Sequence, residues 1–330
     1  MKNKLGIFKF FCLLTIIVLL TQNWTISEVK AVEKPIINCQ KLTMYLNNND
    51  QGDSYTSYYY LKVANATSRP KWSTSNSKIA TVNKNGTVVA KNVGKAVITA
   101  TMGKTKLSCN VNIKKEPSTS TLEKNVSVKE KVIDGYCRFI FTSSCSDYLD
   151  VTVFYNEYDS NGDKTKSSNK QVYLTGKGKT TIFSELNEDT QYVDVEKVVV
   201  ELANNFQATN NNFSYMIQDV IKVNDIKASI GEIKPIDFFE GIEIPYSFEN
   251  TTYFATGCYY QFVFYKNDKI IFVYSTHPYD KGVGAKTTET YYFQPWMYDR
   301  ENGFKEGDTY SYDKCEIIPI CGVRSFQSNE

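Results

Sequence analysis

Short apolar runs with two-residue alternation recur along the chain, parted by turns of Asn, Gly, Ser and Asp. The clearest group lies between Trp72 and Thr101: Ile79-Ala80-Thr81-Val82, then Asn83-Lys84-Asn85-Gly86, then Thr87 to Ala90, a break at Gly94, and the alternating run Ala96 to Thr101. Asn-Gly between two β-branched runs predicts a two-residue hairpin of type I′, a turn that needs positive φ at both central residues. Ile36-Ile37-Asn38-Cys39 reads as a first strand and the alternation from Leu107 to Ile113 as a last one. Tyr55 to Tyr60 has two readings: a sugar-stacking aromatic face, or a strand whose alternate rings pack inward.

From Asn125 onward one weak pattern occurs twice. Its first copy runs through Cys137–Phe141, Leu149–Tyr155, a turn at Asp159–Asp163, Val172-Tyr173, Gly178–Thr181 and Tyr192–Leu202. The second runs through Ile244–Phe248, Gln261–Tyr265, a turn at Asn267-Asp268, Val273-Tyr274, Gly284–Thr288 and Tyr310–Ile320. The shared anchors are Phe-Tyr before the turn, Val-Tyr after it and Lys-Thr-Thr later. Strands at this spacing predict two β-sandwiches.

The string Trp72-Ser73, Ser75-Asn76, Ile79–Val82, Asn85–Val88, Gly94 and Ile98–Ala100 resembles the bacterial immunoglobulin-like group 2 (BIG2) domain, the module of bacterial surface proteins related to invasins and intimins. The resemblance covers about a quarter of the chain and implies a small β-sandwich without an active site, used as a spacer or adhesion module. The first of the two later copies loosely resembles the FxLYD-type domains of bacterial secreted proteins.

The chain has 330 residues, enough for two or three domains. The expected architecture is all-β: tandem immunoglobulin-like β-sandwich domains after an N-terminal signal peptide. Residues 1–31 are the signal peptide, with Lys2, Lys4 and Lys9 before the apolar run Phe10–Leu20, which is too short to span a bilayer. Residues 32–114 are the BIG2-like domain, 115–124 a linker, and 125–223 and 224–330 two sandwiches. Cleavage after Ala31 takes away four Lys and one Glu, so the formal charge falls from +2 to −1. A balanced charge gives no electrostatic footprint for nucleic acid. No later stretch is long and apolar enough to span a membrane. The expectation is a secreted protein, or one held non-covalently at the cell surface.

Candidate chemistry is sparse. The single His, His277, with Cys258 nearby in sequence permits a Cys–His nucleophile, but no flanking signature accompanies it, and a non-catalytic protein without cofactor or metal is expected. Asp159-Ser-Asn161-Gly162-Asp163 starts like a calcium loop but has Lys170 where the closing Glu belongs, so a hairpin turn is the better reading. Seven cysteines follow the signal segment. Cys39 and Cys109 lie on the presumed first and last strands of one sandwich and either form a bridge or remain two buried thiols; a bridge would be worth ~4 kcal/mol in the chain-entropy model. Cys137 with Cys145 and Cys315 with Cys321 are the other candidate pairs, leaving Cys258. Trp296 and Tyr298, in an aromatic stretch around Pro295, are the candidate binding residues, either stacking on a sugar or protein partner or filling a core. The expected partner is a host or cell-wall glycan, or a surface protein.

Overall fold

The computed structural model describes residues 33–46, 58–203, 207–210, 213–221, 226–235, 242–276, 282–293 and 311–327. Its first part contains β1 (Ile36–Ile37), β2 (Lys41–Leu46), β3 (Tyr58–Tyr60), β4 (Val63–Ala64), β5 (Lys71–Thr74), β6 (Ala80–Val82), β7 (Thr87–Ala90), β8 (Gly94–Met102) and β9 (Thr105–Lys115). One sheet has the order β2-β9-β8-β5 and another the order β3-β7-β6. Alternation sets the faces: Ala96 and Ile98 of β8 and Cys109, Val111 and Ile113 of β9 are buried together with Leu42 and Met44. Strands β2 and β9 run parallel, with Lys41 opposite Asn110 and Leu42 opposite Val111. In β3, Tyr59 is buried and Tyr60 half-buried, the alternation of a strand.

The residues of the Trp72–Thr101 string are occupied in building this sandwich. Ser75 extends the β5–β8 ladder, its Oγ accepting from the Val97 N–H at 2.8 Å. The Asn76 side chain accepts from the Lys78 N–H, and its carbonyl from the Ile79 and Ala80 N–H groups. Trp72 and Ile79 pack against the core. The hairpin at Asn83–Gly86 differs from the type I′ expectation. The Gly86 N–H donates to the Asn83 carbonyl, and Asn83 Oδ1 accepts from the N–H groups of Asn85 and Thr87. Only Gly86 has positive φ, +87°. This is a type I turn followed by a left-handed glycine, because the Asn83 side chain fixes the turn from within.

After β9, Thr119–Glu123 forms a short helix, α1. Then come β10 (Val126–Ile133), β11 (Tyr136–Ser143), β12 (Tyr148–Tyr158), β13 (Lys164–Thr175), β14 (Gly178–Glu185) and β15 (Tyr192–Leu202). The third part has β16 (Gln207–Asn210), β17 (Phe213–Ile221), β18 (Ile226–Ile230), β19 (Lys234–Pro235), β20 (Ile242–Asn250), β21 (Thr256–Lys266), β22 (Lys269–Ser275), β23 (Gly282–Val283), β24 (Thr288–Phe293) and β25 (Lys314–Gln327). The pairing β10-β11-β14 facing β13-β12-β15 recurs as β18-β20-β24 facing β22-β21-β25. The anchors of the sequence repeat occupy equivalent places: Phe154-Tyr155 and Phe264-Tyr265 lie on β12 and β21, each at a register shift, and Val172-Tyr173 and Val273-Tyr274 on the following strand. The β21–β22 hairpin is a type I′ turn at Asn267-Asp268, with φ of +50° and +61°.

The second and third parts pack closely. One buried cluster joins Phe139, Phe141, Leu149, Val151 and Val153 to Tyr259, Ile320 and Cys321, and takes in Tyr45 of β2 and Leu122 of α1. A second joins Tyr136 and Phe183 to Val263 and Ile270. The segment 115–124, expected as a linker, thus carries a helix whose Leu122 is buried in the middle core. No helix among the described residues is long and apolar enough to cross a membrane.

Candidate functional site

The outer face of β13-β12-β15 is built from cross-strand rows. Asp150 stands opposite Tyr173 and Glu201, Thr152 opposite Gln171 and Val199, and Phe154 opposite Asn169 and Lys197. Residues of odd number on β12 (Leu149, Val151, Val153) fill the core, so the even ones look outward. Asp150, Thr152, Phe154, Gln171, Val199 and Glu201 line an open cavity of about 210 Å³. Asp150 is only 6% exposed, whereas Phe154 is 36% exposed and forms an apolar wall. The Gln171 amide nitrogen lies 2.9 and 2.7 Å from the two Asp150 carboxylate oxygens. Burial pushes the Asp150 carboxyl up to about 6, the Gln171 hydrogen bonds oppose this, and Glu201 adds to it. Glu201 also raises Glu116, after that group's own burial, and the Cys321 thiol is raised by its burial first, then by Cys258 and then by Asp150. The cavity is lined by β12, β13 and β15 of the middle part. A carboxylate, an amide and an aromatic wall together suit a ligand rich in hydroxyl or N–H donors.

The residues singled out from sequence have different fates. Trp296, Tyr298 and His277 lie outside the described residues, as does the segment 1–31. Cys258 is fully buried, its thiol donating to the Thr256 carbonyl at 3.8 Å. Burial, helped by Glu289, pushes that thiol up to about 12, which keeps it protonated and unreactive. The Asp159 carboxylate accepts from the N–H groups of Asn161 and Asp163, so its own turn uses it. No metal-holding cluster of His, Cys, Asp and Glu is present among the described residues.

Two of the proposed disulfide pairs are held too far apart to bond. Cys137, Cys145, Cys315 and Cys321 are all thiols, and so are Cys39 and Cys109. Cys137 lies near the start of β11 and Cys145 just beyond its end; Cys315 and Cys321 lie six residues apart on β25. At ~3.3 Å per residue an extended strand separates each pair by roughly 20 Å, far more than the ~5–6 Å between bridged Cα atoms. Nearness in sequence misleads when the chain between is extended. Cys39 and Cys109 are placed otherwise, at one end of the β2–β9 pairing and against the same core.

Sequence reasoning missed Asp150, Gln171 and Glu201. The one available signal was an acid within the apolar run Leu149–Tyr155, read only as strand.

Residues 49–111 match the family model described as bacterial Ig-like domain (group 2). No curated protein is significantly similar to the chain. The match covers the strands from β3 to β9 that carry the Trp72–Thr101 string, and this stretch is a module of a kind found in bacterial surface proteins.

Proposed function

We propose that this chain is a non-catalytic, exported bacterial surface protein in which the Ig-like module acts in adhesion or as a spacer. The observation that carries the reading is the family match over residues 49–111, in a chain whose regular elements among the described residues are strands apart from one short helix. The module's motif residues are committed to folding, so they supply a rigid body, and any recognition by the module falls to residues outside that string. A second reading, a carbohydrate- or cell-wall-binding role, draws support from the cavity on β12, β13 and β15. Phe154 offers a ring face, and Asp150, Gln171 and Glu201 offer polar groups to sugar hydroxyls. Trp296 and Tyr298 remain candidates for the same role from sequence.

The test is binding of the full exported chain to an array of glycans, cell-wall fragments and matrix proteins, with Phe154→Ala and Trp296→Ala beside it. Binding lost only in Phe154→Ala assigns recognition to the cavity. Binding lost only in Trp296→Ala moves it to the aromatic stretch. No binding by the folded chain removes the adhesion role and leaves the spacer.

A further inference from the structure

The first sandwich brings two cysteines, both thiols in this structure, to neighbouring positions at one end of the β2–β9 pairing. Lys41 pairs with Asn110 in the parallel β2–β9 ladder, and the Asn110 N–H donates to the Gln40 carbonyl at 2.9 Å. Cys109 is thus level with Gln40 and next to Cys39. Strands ~4.8 Å apart, offset by one ~3.3 Å step, put the two Cα atoms ~6 Å apart, within the range of disulfides. Both side chains lie against the same core. Cys109 is wholly buried, in line with Val111 and Ile113. Gln40 is exposed, and the bend before β2 turns Cys39 toward the core that contains Cys109. That bend is held on both sides: the Asn38 N–H donates to the Lys62 carbonyl, the Lys62 N–H donates to Asn38 Oδ1, and the Asn38 side-chain amide donates to the Tyr60 carbonyl, while the Cys39 thiol donates to the Lys41 carbonyl at 3.2 Å.

We propose that Cys39 and Cys109 are a modification site that carries an intramolecular disulfide in the exported protein. Two thiols lose two protons and two electrons to a disulfide donor, a low-molecular-weight disulfide or a thiol–disulfide oxidoreductase, which leaves as two thiols. The bond joins the bend between β1 and β2 to β9, the strand by which the chain leaves the sandwich, closing almost the whole module in a covalent loop. Granting the surface role proposed above, this has a mechanical consequence. Tension between β1 and α1 passes through Cys39–Cys109, and the 70 residue steps between them stay folded under load. Cys39 lies outside the matched residues 49–111, so the cross-link belongs to this chain and is not a feature of the matched segment.

The test is a peptide map of the full exported chain, alkylated without reductant. The expected result is a Cys39-bearing peptide joined to a Cys109-bearing one, with Cys137, Cys145, Cys258, Cys315 and Cys321 each alkylated after denaturation. Separate alkylation of Cys39 and Cys109 overturns the proposal. Cys39→Ala and Cys109→Ala should each lower the melting temperature, and the double variant should fall no further than the lower single variant; additive losses would mean two packed thiols. Stretched end to end, the reduced chain should release about 24 nm that the oxidised chain withholds, at ~3.4 Å per residue; equal lengths overturn the load path. The peptide map reads the bond whether or not the protein binds a surface, so the two readings fail independently.

Discussion

The side chain of Gln261 on β21 makes a two-point hydrogen bond to the main chain of Phe183 on β14. Its Oε1 accepts from the Phe183 N–H at 2.7 Å, and its Nε2 donates to the Phe183 carbonyl at 2.8 Å and to Ser275 Oγ at 2.9 Å. β14 is the outer strand of β10-β11-β14, so this amide takes the place of a neighbouring strand at an open edge. Gln261 is fully buried, so water cannot replace it. Asp134 adds a parallel tie, accepting from the Ile270 N–H at 3.0 Å.

Gln261→Leu should therefore cost more than an ordinary core change. It leaves a buried N–H and a buried carbonyl without partners, at roughly 1–3 kcal/mol each. Urea denaturation of the full chain should show a loss of about 3 kcal/mol. A change within ~0.5 kcal/mol would mean that the amide only fills space.

Gly86 should tolerate no side chain. A Cβ there would meet the Leu61 carbonyl and come within 3.0 Å of the Trp72 ring, and φ is +87°. The Leu61 N–H also donates to the Gly86 carbonyl at 2.9 Å, so the two segments cannot easily part. Gly86→Ala should destabilise the first sandwich by at least ~2 kcal/mol through positive φ and overpacking together. Trp72 fluorescence during denaturation would report it.

Asp150 should make the protein less stable as pH rises. Its carboxyl titrates near 6 when folded and near the ordinary 3.8 when unfolded. Between these values the folded state keeps a proton that the unfolded state has lost. Stability therefore falls from about pH 4 to about pH 6 and stays lower above that. Asp150→Asn keeps an acceptor for Gln171 but carries no charge, so it should remove this slope and gain ~2 kcal/mol at pH 7, with nothing gained at pH 4. Melting curves of both proteins at the two pH values measure this.

Cys258 should resist thiol reagents in the native chain at neutral pH and react at once after denaturation, because its thiol is buried and held protonated. Mass spectrometry of the labelled peptide gives the rates. Rapid native labelling would revive a nucleophilic role.

Much of the fold is local physics and so was legible. Period-two alternation placed β7, β8 and β12, and the Phe154-Tyr155 and Phe264-Tyr265 anchors revealed a repeat whose strand pairing recurs. What escaped depends on contacts distant in sequence. Leu122 is one apolar residue in a polar segment, and only the fold gives it a core to enter. Gln261 looks like the polar position of an ordinary strand until β14, 78 residues earlier, is brought against it. Asp150 has the same history: its burial comes from neighbouring elements, and nothing beside it in sequence announces a cavity. The turn at Asn83–Gly86 was placed correctly and typed wrongly, since the side-chain hydrogen bonds of Asn83 outweighed the usual Asn-Gly preference.

The central claim is that this chain works outside the cell as a surface protein. Its most direct test is to treat intact producing cells with a protease and an antibody that cannot enter them, and to assay the culture fluid in parallel. The account predicts a chain lacking residues 1–31 that is antibody-accessible on the surface or present in the fluid. A chain retained inside the cells with residues 1–31 still attached would contradict it.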